Sequence, residues 1–119
     1  MSATPTKIRL RRNSRLVVIS FDDGSEFEYT FEYLRVHSPS AEVMGHGPGQ
    51  ETLQTGKQDV AITAIEPVGR YAVRLLFDDG HDTGLYSWQY LHELGRNMAT
   101  NWQSYLDRLV AAGYAREKQ

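Results

Sequence analysis

Three histidines and one glutamate have the side chains and positions most suited to chemistry. His37 and His46 bracket a Gly- and Pro-rich stretch that also contains Glu42, and His81 directly follows an Asp-Gly pair. Neutral imidazole and carboxylate oxygen are ligands that zinc and iron accept. We therefore predict a candidate metal site in which His81 is joined by His46, His37 or Glu42. Solvated loop histidines are the competing interpretation, because the spacing from 37 to 46 matches no established ligand pattern.

Other catalytic chemistries lack the residues they need. The 119-residue chain has no cysteine, which excludes disulfides, thiolate zinc ligation and cysteine nucleophiles. The stretch 45–50 lacks the lysine of a P-loop, and no G-x-S-x-G motif occurs. The acid pairs 22–23 and 78–79 each precede a glycine, which predicts turns rather than acid–base pairs. We expect no enzyme activity, unless segment 37–57 holds a site of another kind.

The charge is nearly balanced overall but uneven along the chain. There are 13 Lys and Arg against 15 Asp and Glu, a net charge of −2. Five basic residues and no acid occupy positions 7–15, namely Lys7, Arg9, Arg11, Arg12 and Arg15. This run predicts an edge strand whose charge deters pairing with other chains. Nucleic-acid binding is the weaker alternative, because no aromatic side chains alternate with the basic ones to stack on bases.

Hydrophobic patterns predict strands joined by tight turns and followed by helices. The predicted strands cover 7–11, 16–21, 26–31, 59–65, 71–77 and a short segment that ends at 86. The Asp-Gly pairs predict two-residue type I′ hairpins, and 67–69 predicts another turn. Thr30 and Ser87 are expected to cap helices, with Gly95 and Gly113 as helix ends. Residues 37–57 are predicted to form a long loop.

A weak internal duplication organises these elements. Residues 21–24 and 31–34 match residues 77–80 and 88–91, at offsets of 56 and 57. Each copy reads as strand, Asp-Gly turn, strand and a helix that begins with aromatic-x-Tyr-Leu. The expected fold is therefore α+β: a single domain over 1–119, with two β-hairpin–helix units forming a mainly antiparallel sheet, plus a C-terminal helix over 96–113. The ends, 1–5 and 114–119, are predicted to be flexible.

The segments that carry these features together resemble a known family. Residues 33–43 (YLRVHSPSAEV), residues 77–81 (FDDGH) and residues 88–91 (WQYL) are similar to the gamma-butyrobetaine hydroxylase-like N-terminal domain family, in its stand-alone bacterial form. The resemblance covers roughly residues 7–95. It implies a small domain that elsewhere precedes an oxygenase domain or accompanies Mrp-type P-loop ATPases of iron–sulfur cluster transfer. It also implies one structural zinc, held by three cysteines and the histidine of an Asp-Gly-His.

This chain departs from the pattern of the family at the metal ligands. Ser38, Ser40 and Val43 occupy the positions of the three cysteines, and only His81 keeps a ligand type. Serine hydroxyls are poor zinc ligands and valine is none, so we expect the thiolate site to be lost. The chain has no room for the oxygenase domain either, and hydroxylase activity is not implied.

The expected function is that of a non-catalytic accessory or protein-interaction module, linked to iron or iron–sulfur handling. The expected partner is another protein, such as an iron–sulfur carrier ATPase, and not nucleic acid or a membrane. The alternative is a metal-binding protein that holds one zinc or iron ion through His81 and loop ligands. Without a signal peptide or an apolar run of about 20 residues, we expect a cytoplasmic protein.

Overall fold

In the described part of the chain, six strands form two separate three-stranded antiparallel sheets, and four helices accompany them. The computed structural model describes residues 3–45 and 52–114. The strands are β1 (Pro5–Arg11), β2 (Leu16–Phe21), β3 (Glu26–Thr30), β4 (Ile62–Val68), β5 (Ala72–Phe77) and β6 (Leu85–Ser87). The helices are α1 (Phe31–Val36), α2 (Ala41–Met44), α3 (Trp88–Arg96) and α4 (Met98–Ala111). The α+β class and the C-terminal helix are confirmed, and the strands divide between two sheets, one for each half of the chain.

The first sheet has the order β1-β2-β3 and follows the alternation seen in the sequence. Val17, Ile19 and Phe21 of β2 are buried in the main core. On the opposite face Arg9 pairs with Glu26 across the sheet at 3.1 Å. Because β1 pairs with β2 alone, the basic strand lies at the edge of the sheet, as predicted.

The second sheet has the order β4-β5-β6, and its first strand lies further along the chain than predicted. β4 runs from Ile62 to Val68 rather than over 59–65, so Pro67 belongs to a strand and not to a turn. Pro67 lies opposite Val73 of the central strand. An edge strand accepts proline because one side of its backbone needs no ladder hydrogen bonds. The turn follows at Gly69, whose φ is 63°.

The two Asp-Gly turns have a geometry different from the predicted type I′. Only the glycine has a positive φ, 87° at Gly24 and 88° at Gly80. In each turn the glycine N–H donates to the carbonyl three residues back, Phe21 or Phe77. This is a type I turn followed by a left-handed glycine, which makes a three-residue loop. The preceding aspartate accepts a backbone N–H two residues on, as an Asx turn does.

Both predicted helix caps are present, and one predicted helix end is wrong. Thr30 Oγ1 accepts the N–H of Tyr33, and Ser87 Oγ accepts the N–H of Tyr90, each at 3.0 Å. α3 does not end at Gly95 but continues to Arg96. Gly95 instead makes room for a neighbouring side chain, because a Cβ there would lie 2.3 Å from the Phe27 ring.

Two pairs of tyrosines join the halves of the duplication reciprocally. Tyr29 donates its hydroxyl to the carbonyl of Leu91, and Tyr86 donates to the carbonyl of Leu34, the matching positions. Both rings are completely buried. Tyr33 and Tyr90 likewise donate to Leu94 and His37. Each half thus satisfies the ends of the other half's helix, which makes the duplication visible in contacts.

Helix α4 begins at the position that matches the start of α2, but it is much longer than α2 and lies against α1. Tyr105 and Leu109 form a small buried cluster with Val36. Tyr105 also donates its hydroxyl to the carbonyl of Gln54, which ties the helix to the segment before β4. Among the described residues, no helix is long and apolar enough to cross a membrane.

The start of the chain and the described part of the long loop are more structured than the sequence suggests. Ala3 is buried, and Thr4 exchanges hydrogen bonds with Asp22, so the leader predicted to be flexible joins the fold from residue 3. The segment 37–57 contains α2, whose N-cap is Ser40. Residues 46–51, 115–119 and 1–2 lie outside the described part of the chain.

Candidate functional site

His81 lies directly after the second Asp-Gly turn and points into the protein. Its backbone N–H donates to Asp79 Oδ1 at 3.2 Å, and its carbonyl accepts the N–H of Phe77. These bonds fix the backbone, and the ring packs near Phe77 with a centroid distance of 6.0 Å. The side chain is only 2% exposed. The turn therefore places an imidazole where few solvent molecules reach it.

Both nitrogens of the His81 ring contact side chains from the segment that follows α1. Nε2 lies 2.8 Å from Ser38 Oγ, and Nδ1 lies 3.1 Å from Glu42 Oε2. Burial, and then the nearby Arg35 guanidinium, lower the pKa of His81, although Glu42 acts in the opposite direction. We assign the neutral ring with its proton on Nδ1, because a carboxylate can only accept. Nε2 then accepts the hydroxyl proton of Ser38.

A second polar pair lies beside this one and holds the same segment. Ser40 Oγ lies 2.7 Å from Thr83 Oγ1 and accepts the N–H of Glu42 at the start of α2. Ser38 Oγ accepts the N–H of Ser40 at 3.3 Å. Val43 is buried next to them. The segment 38–43 is thus fastened to the loop 81–83 by side-chain hydrogen bonds, and we call these residues the polar clip: Ser38, Ser40, Glu42, His81 and Thr83.

A layer of charge supports the polar clip from the turn. Asp79 Oδ2 accepts from Arg35 Nε at 3.0 Å and from Lys57 Nζ at 2.8 Å. Burial raises the pKa of Asp79, but hydrogen bonds from Lys57, His81 and Arg35 outweigh it and lower this pKa to about 2. Arg35 also donates to Gln54. The carboxylate therefore stays ionised and joins α1, the turn and the segment before β4.

The remaining candidate ligands do not join His81 in the described structure. His37 is the C-cap of α1, and its Nδ1 lies 2.9 Å from the carbonyl of Tyr33. Burial lowers the pKa of His37. Its ring packs against Tyr33, with a centroid distance of 4.6 Å. His46 lies outside the described residues. Of the predicted set, the structure therefore brings together His81 and Glu42.

The geometry of this pair bears on metal binding. Glu42 and Ser38 contact different nitrogens of the ring, so a metal on either nitrogen would meet only one of these two oxygens. Over residues 3–45 and 52–114, no group of three or more His, Asp or Glu side chains is placed to hold a metal ion. A zinc site needs three or four protein ligands. The described side chains at this place supply two zinc ligands, His81 and Glu42, and one poor one, the Ser38 hydroxyl.

Ser38, His81 and Glu42 are linked in the same sequence as the nucleophile, base and carboxylate of a catalytic triad. A serine hydroxyl on Nε2 and a carboxylate on Nδ1 is the arrangement that activates serine in acyl transfer. Ser38, however, is 0% exposed and lies under Gly84, where a Cβ would be 2.5 Å from Ser38 Oγ. A nucleophile must lie within reach of a substrate, and this one is covered. The arrangement is a hydrogen-bond network that is buried at Ser38 and His81 and open to solvent at Glu42, whose side chain is 64% exposed.

Sequence reasoning identified His81 and Glu42 but missed most of their surroundings. Ser38 and Ser40 were read only as lost ligands, whereas they accept and donate the hydrogen bonds that close the clip. Arg35 and Thr83 were not singled out. The repeat held a usable signal, since Arg35 occupies the position that matches His92, and both contact the aspartate of the opposite turn.

In the described residues, two three-stranded antiparallel sheets and four helices form a small α+β domain, and the segment after α1 contacts an Asp-Gly-His turn. The family described as gamma-butyrobetaine hydroxylase-like, N-terminal, matches residues 8–92. The chain belongs to this family. No curated protein matches the chain.

Solved structures agree with this assignment. A protein known by solution NMR is 53% identical, with a TM-score of 0.83 and coverage of 98% of this chain and 86% of that one. A second NMR structure is 41% identical, with a TM-score of 0.85 and coverage of 100% and 94%. A crystallised protein of unknown function from Acidithiobacillus ferrooxidans, of the DUF971 family, is 40% identical, with a TM-score of 0.64 and coverage of 76% and 91%.

The residues present do not fit the zinc that the family resemblance implies. Ser38 Oγ is engaged with Nε2 of His81, and Val43 contributes only methyl groups. A tetrahedral thiolate site would need three anionic sulfurs at these positions. At Ser38 and Ser40 the side chains instead make hydrogen bonds to His81 and Thr83.

Proposed function

We propose that this protein is a non-catalytic accessory module that acts by binding another protein. The observation that supports the proposal is the closure of the polar clip, the chemistry-bearing cluster found in the described residues. Ser38 and His81, the groups with nucleophilic or basic character, are buried and bonded to each other. A site that must turn over substrate needs an open cavity with a few convergent polar groups. The polar clip is the reverse, because its groups satisfy one another.

We further propose that the protein works in the cytoplasm, in iron or iron–sulfur handling, with an iron–sulfur carrier ATPase or a similar protein as its partner. The support for this part is the family resemblance alone. In this role the clip would keep α1 and the second turn in a fixed relation, so that the surface presented to the partner is rigid. Preorganised surfaces lose less entropy on binding.

Two measurements test the proposal. The tagged full chain should capture a defined protein from extract of the source cells, and the captured complex should re-form from purified components. A fluorophosphonate probe, which labels activated serines, should leave Ser38 unlabelled in the native protein, as it should in a Ser38→Ala control. Covalent labelling at Ser38, or no reproducible partner across growth conditions, would contradict the proposal.

Metal binding is the second candidate function, and the contact between Glu42 and His81 is the observation that favours it. A carboxylate that orients an imidazole is the usual support of a metal-ligating histidine. The test is the zinc and iron content of protein purified without chelator, beside a His81→Ala variant. Near one equivalent of metal, lost in the variant, would support a site with imidazole and oxygen ligands. Folded, metal-free protein would contradict it.

A further inference from the structure

A groove of about 680 Å³ runs between α1 and the first turns of α4. Its floor is the buried rings of Phe31 and Tyr33. Met98 and Trp102 line it from α4 and pack partly on the main core. A concave, mostly apolar surface of this size is large enough to take one or two side chains of a bound segment.

One side of the groove is formed by the basic turn between β1 and β2. Arg15 lines the groove and lies over the ring of Phe31, 5.6 Å from its centroid. Its backbone is in the left-handed region, with φ of 57°, which is uncommon for a side chain of this size. Arg12, in the same turn, bonds the carbonyl of Thr63, and Arg15 bonds that of Val60. Carbonyl contacts fix the guanidinium groups without removing their charge.

The groove lining holds one cation, Arg15, and one acid, the buried Glu32, so the positive charge lies at its rim, in the turn. Residues 11–15 contain three arginines and no acid, while the chain as a whole is slightly acidic. An edge strand needs only its own charges to deter pairing. The turn beyond the strand does not share that role. Its Arg12 and Arg15 donate to neutral carbonyls, so these bonds leave their positive charge in place beside the apolar groove.

We propose that this groove is the docking site for an acidic peptide segment of the partner protein. One apolar side chain of the segment fills the space between Phe31, Met98 and Trp102, and a neighbouring carboxylate pairs with Arg15. The inference rests on the proposed protein-binding function and adds where and how the partner binds. Complementary charge at the rim would speed association, while the buried anchor would set the lifetime.

The probe is an acetylated, amidated pentapeptide with a central leucine between glutamates, titrated into 15N-labelled full-length protein by NMR. The matched control peptide carries lysines in place of the glutamates. We expect the acidic peptide to shift amides of residues 14–15, 31–33 and 98–102, with an affinity that decreases as salt rises. The lysine peptide should be markedly weaker. Equal shifts from both peptides, or shifts elsewhere, would overturn the proposal.

Substitutions in the groove test whether the acidic peptide binds there rather than elsewhere on the protein. Ala99 is exposed and lines the groove near the start of α4. Ala99→Glu and Ala99→Lys form a matched pair, and the acid suits the N-terminal turn of a helix, so folding is preserved. Ala99→Glu should weaken the acidic peptide and Ala99→Lys should not. Arg15→Gln should weaken it about fivefold at low salt, and Arg70→Gln, in the turn between β4 and β5, should have no effect.

The same variants separate this inference from the proposed function. If a partner is identified and Ala99→Glu and Arg15→Gln bind it as well as the unchanged chain does, the groove is not the docking site and the interaction function still stands. If no partner is found and the acidic peptide does not bind, both fail. Loss of partner binding in these two variants, with retention in Ala99→Lys and Arg70→Gln, supports both.

Discussion

The two Asp-Gly turns lie at matching places in the duplicated halves and support different chemistry. At the first turn, Asp23 accepts the N–H of Ser25 and contacts His92 Nε2 at 2.8 Å. At the second, Asp79 accepts the N–H of His81 and contacts Arg35 Nε at 3.0 Å. The bonding scheme is the same at both turns. The two turns differ in the side chains that pack behind the aspartate.

Behind the first turn lies an aromatic plug. The Phe27 ring fills the space over Gly95 and meets His92 edge-on, with centroids 5.8 Å apart. At the second turn the matching positions are reversed in size, since Gly84 replaces the phenylalanine and Ser38 replaces the glycine. The missing ring leaves room for Ser38, and with it the polar clip. One scaffold therefore closes one end by apolar packing and the other by hydrogen bonds.

The largest effect should come from returning sulfur to the polar end. In Ser38→Cys/Ser40→Cys/Val43→Cys, three thiolates join His81, and we expect the variant to bind one zinc. A metal that binds only the folded chain stabilises it, by about 4 kcal/mol when zinc exceeds its dissociation constant a thousandfold. Metal content and thermal unfolding with and without chelator measure this. The same variant with His81→Ala should lose much of the affinity, and no zinc uptake in either would show that these positions do not converge.

Removing the Phe27 ring should lower the stability more than removing the hydrogen bond between Ser38 and His81. Phe27→Ala deletes a ring packed on Phe21, Tyr29 and His92, and we expect a loss of about 3 kcal/mol in the free energy of unfolding. Ser38→Ala leaves Nε2 of His81 buried without a donor, at a cost of about 1–2 kcal/mol. Urea unfolding of both variants tests the order. A clip variant that proves the less stable would mean that hydrogen bonds dominate the polar end.

The two glycines provide a finer test of the same contrast. A Cβ at Gly84 would lie 2.5 Å from Ser38 Oγ, and one at Gly95 would lie 2.3 Å from the Phe27 ring. We expect Gly84→Ala to lower stability by about 2 kcal/mol. Gly95→Ala should cost about 1 kcal/mol, because alanine regains helix propensity within α3. Ser38→Ala should partly relieve Gly84→Ala, and additive losses would argue against the contact.

The smallest effect is a dependence on pH that belongs to the polar end. The pKa of His81 is lower in the folded protein than in the unfolded chain, because of burial and then Arg35. Its contribution is complete above the unfolded pKa of about 6.5 and decreases as the pH falls below that value, by at most about 1.4 kcal/mol per pH unit. Unfolding at pH 7.5 and 5.5 should show this. His81→Gln should reduce the slope, and a remainder is expected from His37, whose pKa is also lowered by burial. An unchanged slope in His81→Gln would contradict the prediction.

Local signals in the sequence were sufficient to predict the helices and most strands. The turn type and the position of β4 depend on long-range packing, which these signals do not contain. Caps at Thr30 and Ser87 follow from residue type and position, and both are present. The type I′ turn was wrong because Asp-Gly is compatible with two loop lengths, and only the strand register chooses between them. The position of β4 depended on Pro67, which is acceptable at an edge that the sequence does not identify.

The candidate site was predictable only in part for a related reason. An Asp-Gly-His sequence indicates that the imidazole lies at the end of a hairpin, and His81 does. Its partners come from residues 38 and 42, some 40 positions away, and no period in the sequence relates them. Ser38 is informative only beside Gly84, because the two sizes are complementary. The sequence therefore indicated which single residues were candidates for the site, but not which of them would be in contact.

The reciprocal tyrosine hydrogen bonds give this single chain contacts like those of a two-fold symmetric dimer. In an isologous interface residue i of one subunit meets j of the other, and j meets i. Tyr29 with Leu91 and Tyr86 with Leu34 satisfy that relation within a single polypeptide. Neither half is then a folding unit, since each leaves buried hydroxyls and helix carbonyls for the other. Amide hydrogen exchange should therefore show that both sheets open in one cooperative step, although they share no strand.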